Sequence, residues 1–152
     1  MKPLLILAIA IAHSFTSKAA EPVIQVKPAD AKPHEGVWKP IAAVLDGARL
    51  PPDALKAITL KISGTNYQVT VEGEKEPDQG TCMLDASASP KRMTIISTNG
   101  PNRGKTFLAI YETKDGRSLR VWYDLTGTEF PKEFKAPKGT MRYLVGYRRQ
   151  QE

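Results

Sequence analysis

From Gly36 to Arg149, apolar and polar residues exchange places at every second position, and turn-forming residues separate one such run from the next. Alternation of period two marks a strand with one face buried and the other wet, so this chain must pair strands and cover their apolar faces. Trp38 to Leu45 opens the series. Ile58, Leu60 and Ile62 then alternate with polar neighbours, and Tyr67, Val69 and Val71 do the same after the turn Ser63-Gly64-Thr65-Asn66, which makes these two runs a hairpin. Further runs cover Gly80 to Asp85, Met93 to Ser97, Lys105 to Glu112, Arg117 to Asp124 and Thr140 to Arg148. Lys114-Asp115-Gly116 supplies the Asp-Gly step that tight hairpins favour. Only Pro52 to Ala57 reads as helix, a single turn with proline at its start. Sequential strands with one apolar face are satisfied most simply by closure, which also removes exposed edges. The expected fold is therefore all-β, a single small antiparallel up-and-down barrel of about eight strands, with a two-sheet sandwich as the alternative.

Gly36-Val37-Trp38 is the expected plug of one barrel end. Glycine lets the chain pass close beneath the barrel, the indole covers a large apolar area, and Arg148 at the end of the closing strand supplies a guanidinium to stack on it. With Trp38 facing inward, alternation places Ile58, Leu60, Ile62, Cys82, Leu119 and Val121 in the same interior. A barrel of this size is only just wide enough to be filled by its own side chains or to hold one small ligand. Tyrosine hydroxyls need partners when buried, so Tyr67, Tyr111, Tyr123 and Tyr143 are the candidate lining of a narrow pocket opposite Trp38.

The 152 residues suffice for one domain with a real core. Ahead of the barrel, Leu4 to Ala12 is an unbroken apolar run after Lys2, about half the length that spans a bilayer. Ser17-Lys18-Ala19 then places small residues where signal peptidase reads them, so residues 1–19 read as a secretory leader cut after Ala19, with an uncut membrane anchor as the alternative. Residues 20–35 carry Pro22, Pro28 and Pro33 among small and charged residues and read as an extended linker, or as a short edge strand at Val23 to Lys27. Residues 36–149 form the barrel and 150–152 a tail. Exported, the mature chain keeps no integral membrane segment.

The chemistry on offer is limited. A lone cysteine, Cys82, excludes an internal disulfide and any Cys-x-x-Cys site, and two histidines are too few for a His-rich metal site, so neither metal nor cofactor is expected. On an alternating strand Cys82 reads as a small buried hydrophobe, and the histidine nearest to a partner for it, His34, falls in the linker. Gly100 to Thr106 imitates a phosphate loop, but it has three residues between its glycines and leads into a strand, so a hairpin loop is the better reading. Glu112, Asp124, Glu129 and Glu133 lie near strand ends or in one long connection, where paired-carboxylate hydrolysis would need two of them across one cleft. Lys and Arg number 22 against 16 acids, and the loop cations Lys91, Arg92, Arg103, Lys105, Lys132, Lys135, Lys138 and Arg142 are interrupted by acids such as Asp78 and Asp85. For an exported protein such an excess suits anionic envelope components better than nucleic acid, and a scattered solvated surface better than either.

Taken in order, Gly36-Val37-Trp38, Leu45-Asp46-Gly47, Gly80-Thr81-Cys82-Met83-Leu84-Asp85, Pro90 to Ile95, Gly100 to Thr106, Ala109-Ile110-Tyr111-Glu112 and Leu119-Arg120-Val121 with Pro131-Lys132-Glu133-Phe134 resemble an uncharacterised lipocalin-like family of small exported β-barrels, of planctomycete type. The resemblance covers Gly36 to about Arg149. It implies a calycin-type barrel and carries over no activity and no site residue; at Cys82 the family more often has an aromatic residue. The expected function is accordingly binding of a small apolar ligand without catalysis. The alternatives are a non-catalytic module that binds an envelope protein or polysaccharide and, third, a carboxylate-dependent hydrolase. The leader is tested directly by the intact mass of the exported protein, which should begin at Ala20; full-length chain retained in the membrane would contradict it.

Overall fold

The computed structural model describes residues 34–151. The leader, the linker up to residue 33 and Glu152 lie outside the described residues. The elements in chain order are β1 (Gly36–Leu45), β2 (Ala48–Arg49), α1 (Pro52–Ala57), β3 (Ile58–Ser63), β4 (Asn66–Val71), β5 (Asp78–Asp85), β6 (Arg92–Asn99), β7 (Thr106–Lys114), β8 (Ser118–Asp124) and β9 (Arg142–Arg149). Apart from β2, a two-residue extension folded onto the end of β1, each strand pairs antiparallel with the next, and β9 returns to β1. The molecule is thus a closed eight-strand barrel with one extra strand, not a sandwich.

Alternation sets the inside. Leu60 and Ile62 of β3, Tyr67 and Val69 of β4, Cys82 and Leu84 of β5, and Leu119 and Val121 of β8 all belong to one buried core. Trp38 and Ala43 of β1 both reach that core although an odd number of positions separates them. A register shift against β9 between Pro40 and Ala42 provides the extra residue that restores the inward parity. Helix α1 has Pro52 at its start and leans Ala54 and Leu55 onto the core beside β1 and β3.

One end is closed by a compact clamp. Trp38 is fully buried, and its indole Nε1 donates to the His34 carbonyl at 2.9 Å. The Arg149 guanidinium lies over the indole, 4.6 Å from its centroid. The same side chain donates through Nη1 to the Glu35 carbonyl and through Nε to that of Gly116 at 2.7 Å, tying the entering chain to the β7–β8 turn. Gly36 has φ +135°, and a Cβ there would stand 3.1 Å from Arg149 Nη1, so glycine meets both a backbone and a space requirement.

Two expectations are corrected at this end. The stacking arginine is Arg149, whereas Arg148 is exposed: Tyr143, Val145 and Tyr147 point inward along β9, and the same parity carries position 149 beneath the barrel and 148 to solvent. His34 is not in a solvated linker but buried, its ring edge-on to Tyr111 with centroids 5.0 Å apart. Gln150, expected in the tail, donates its amide to the Val37 carbonyl at 2.8 Å and prolongs the closing ladder.

A second apolar cluster lies outside the barrel wall, unforeseen because its members occupy outward positions. Ile110 and Trp122, partners across β7 and β8, are buried, and Phe134 from the long β8–β9 connection packs on Trp122 at 4.2 Å between ring centroids. Arg92 sits over Phe130 of the same connection at 4.6 Å.

Trp38→Ala should lower stability by about 3–5 kcal/mol in denaturant melts, as for other buried large-to-small changes. Arg149→Ala should cost about 1–2 kcal/mol and Arg148→Ala under about 0.5 kcal/mol, and equal costs for the two arginines would contradict the clamp.

Candidate functional site

Within the barrel, above the Trp38 layer, the side chains leave an apolar cavity of about 30 Å³. That is room for roughly two water molecules. Its walls come from β3 to β9, with Leu60 facing it at the level of Trp38 and Phe107 and Leu125 at the other end. Among the described residues no charged side chain lines it, and its surface is almost wholly apolar although Tyr67, Tyr123, Tyr143 and Cys82 contribute to the wall. Tyr123 and Leu125 are only half-buried.

Three of the four expected tyrosines therefore meet around one space, and the fourth does not. Tyr111 pairs with Val121, one inward step nearer the closed end than Ala109, which is the residue level with Tyr123. Its ring is spent on His34. Tyr123 and Tyr143 stack at 5.6 Å, and the Tyr123 hydroxyl lies 3.5 Å from that of Tyr147, a partner the sequence reading did not include. Burial holds the Tyr123 and Tyr143 hydroxyls well above the usual phenol range, and it pushes Tyr147 up to about 12. Desolvation likewise pushes the Cys82 thiol up to about 12, so the sulfur on the cavity wall is an un-ionised, weakly reactive thiol.

Behind Tyr67 lies the feature that sequence reasoning missed. Asp78, counted among surface acids, is 3% exposed. Ser97 Oγ donates to its Oδ1 at 2.6 Å, and Asn102 Nδ2 and the Tyr67 hydroxyl donate to its Oδ2 at 3.2 and 3.4 Å. The strand begins two residues before the expected Gly80, which puts Asp78 in the inward register of Cys82 and Leu84. Gly80 permits the approach of β6: a Cβ there would fall 1.9 Å from the Ile96 carbonyl oxygen, next to the register shift at Gln79 and Gly80. The Gly100–Thr106 loop is the β6–β7 connection, and it sends back Asn102, which is fully buried. Desolvation raises the Asp78 carboxyl above its ordinary value of 3.8, and the three donors and the charge of Lys105 oppose that rise. Burial first, and then the Asp78 charge, raises Tyr67.

The remaining candidates are spread out. Asp124 is buried rather than solvated, because Oδ1 accepts from the amide and hydroxyl of Thr126 and Oδ2 accepts from the Thr128 hydroxyl and the Glu129 amide, which knots the start of the β8–β9 connection. Glu112, Glu129 and Glu133 form exposed pairs with Arg120, Arg142 and Lys135. Among the described residues no group of three His, Cys, Asp or Glu side chains is placed to hold a metal ion, and no helix is long and apolar enough to cross a membrane. No protein-family model matches the chain, and no curated protein matches it.

The raised Asp78 carboxyl has a pH signature. It binds its proton more tightly folded than unfolded, so its stabilising contribution is fully present below 3.8 and is lost as pH rises through the folded value. Asn cannot titrate. As pH rises above 3.8 the stability of Asp78→Asn should therefore gain on that of the unaltered protein in denaturant melts, and a difference flat in pH would contradict the raised carboxyl.

Proposed function

We propose that the protein is a non-catalytic, lipocalin-like barrel of the cell envelope, exported through its leader, that takes a small apolar ligand into the cavity beside Tyr67, Tyr123 and Tyr143. The observation that carries this reading is the cavity: an apolar space inside the barrel with three tyrosines on its wall. Ligand sites of this kind are mostly apolar with a few placed polar groups. At about 30 Å³ the space is smaller than an organic ligand, so entry requires Tyr123 and Leu125, the half-buried residues of its wall, to swing outward.

That small volume also favours a second reading, an interaction module with a packed interior. Ile41 and Phe134, 57% and 42% exposed, would then be surface anchors for an envelope partner. A carboxylate-dependent hydrolase has less support, because Asp124 is committed to its own loop and Glu112, Glu129 and Glu133 are each paired with a surface cation.

Titration with the neutral fluorophore N-phenylnaphthylamine separates the first two. Ligand binding predicts saturable one-to-one enhancement, weakened about tenfold or more when Leu125→Trp narrows the entrance. Enhancement that never saturates, or that Leu125→Trp leaves unchanged, would favour the interaction module.

A further inference from the structure

On the outside of the barrel, unmatched positive charge and exposed apolar side chains coincide around β1. Strands β1, β3 and β9 contain no acidic residue. Of their cations, Arg149 is spent in the clamp and Arg142 is paired with Glu129, which leaves Lys39, Lys61 and Arg148. Lys61 stands opposite Val37 across β1 and β3, and Arg148 opposite Lys39 across β1 and β9, so the three charges frame one strand. Among the described residues none of them forms an ion pair. The Lys39 ammonium donates to neutral oxygens, the Lys56 carbonyl and the Thr59 hydroxyl, each at 2.9 Å, and Glu35 at the entry to β1 is turned to the Gly64 amide. The register shift that restores the inward parity of β1 also turns two successive residues outward, and both are apolar: Ile41 and Ala42. Ile41 is 57% exposed, and Gly146, opposite Ala42, has no side chain to cover either. Val37, also exposed, continues the strip. A lone exposed apolar side chain is ordinary, whereas three along one strand framed by unmatched cations mark a contact surface.

We infer that this wall docks on an anionic phospholipid bilayer, with Ile41 and Val37 entering the headgroup layer and Lys39, Lys61 and Arg148 meeting the lipid phosphates. Surface attachment of this kind sums the burial of a few apolar side chains with the attraction of cations to anionic lipid, and long basic side chains reach the phosphates while their stems stay among apolar groups. A second copy of the chain fits less well, because a two-fold contact through β1 would bring each cation toward its own counterpart. A protein partner would need a surface shaped to the convex wall and an aromatic anchor at its centre, and the strip holds no aromatic residue. A bilayer conforms to the wall and needs neither. Export through a leader brings a chain to a membrane by its N-terminus, and the N-terminal chain joins this barrel at the head of β1. The inference does not depend on whether the cavity takes a ligand.

The experiment is cosedimentation of the mature chain, beginning at Ala20 so that the apolar run of the leader takes no part, with phosphatidylcholine vesicles that contain either no phosphatidylglycerol or about 30% of it. The chain should sediment with the anionic vesicles and not with the neutral ones, and salt raised to about 0.5 M should release most of it. Lys61→Gln and Arg148→Gln should each weaken the partition about fivefold, the scale of one cation at an anionic surface. Ile41→Ser should weaken it about threefold or more through lost apolar burial. The double change Lys132→Gln and Lys135→Gln, on the β8–β9 connection, should leave it within about twofold. All these positions are exposed, and denaturant melts that coincide with that of the unaltered protein verify the fold of each variant. No sedimentation with anionic vesicles would overturn the inference, as would equal loss from the Lys132 and Lys135 pair, which would make the attraction one of overall charge. Binding that Ile41→Ser leaves unchanged and that soluble polyglutamate matches would assign the wall to an acidic polymer and overturn the lipid.

Discussion

Everything in this barrel depends on the pairing of its first and last strands. From Trp38 opposite Arg149 to Leu45 opposite Tyr143, β1 and β9 close the sheet, and only in the closed sheet do all eight inward faces share one interior. The pairing joins the two ends of the described chain, so its entropic cost is high and side chains must offset it. The clamp does this at one point: the Trp38 indole is covered by Arg149, and Arg149 in turn reaches Glu35 and Gly116, so one cation ties the entering chain, the closing strand and the β7–β8 turn together.

Closing one end firmly leaves the other to differ. Around the clamp the interior is filled by Trp38, Tyr111 and Tyr147, which are among the most deeply buried side chains. Beyond it the interior keeps the small cavity, and behind Tyr67 on the wall of that cavity the chain accepts a cost that a purely structural core avoids. A carboxylate is buried with three neutral donors, and a hydroxyl is aimed at it from the cavity wall. Burial of a charge is expensive and weak as a source of stability.

The fold was legible because period two repeats cleanly and the turns are explicit. Helix α1 lies at Pro52–Ala57 as the proline indicates, and the strand runs differ from expectation by a residue or two at their ends. What was not legible follows a single physical pattern. Asp78, Asn102 and Trp122 sit where their residue type or parity argues against burial, and tertiary neighbours override the local signal: Ser97 and Tyr67 receive the carboxylate, and Phe134 roofs the indole. Asp78 left one trace, since the parity Asp78, Gly80, Cys82, Leu84 runs on unbroken from the interior residues. Arg149 was readable by the same parity, two positions beyond Tyr147. Tyr111 was not, because alternation gives the face of a residue and only the register gives its depth along the barrel axis.

The account is tested most directly by locating a bound molecule. In nuclear Overhauser spectra of the barrel with N-phenylnaphthylamine, contacts should run from the dye to the methyl groups of Val69, Ile95 and Leu125 on the cavity wall. Contacts confined to the outer cluster of Ile110, Trp122 and Phe134, with the interior methyl groups silent, would contradict it.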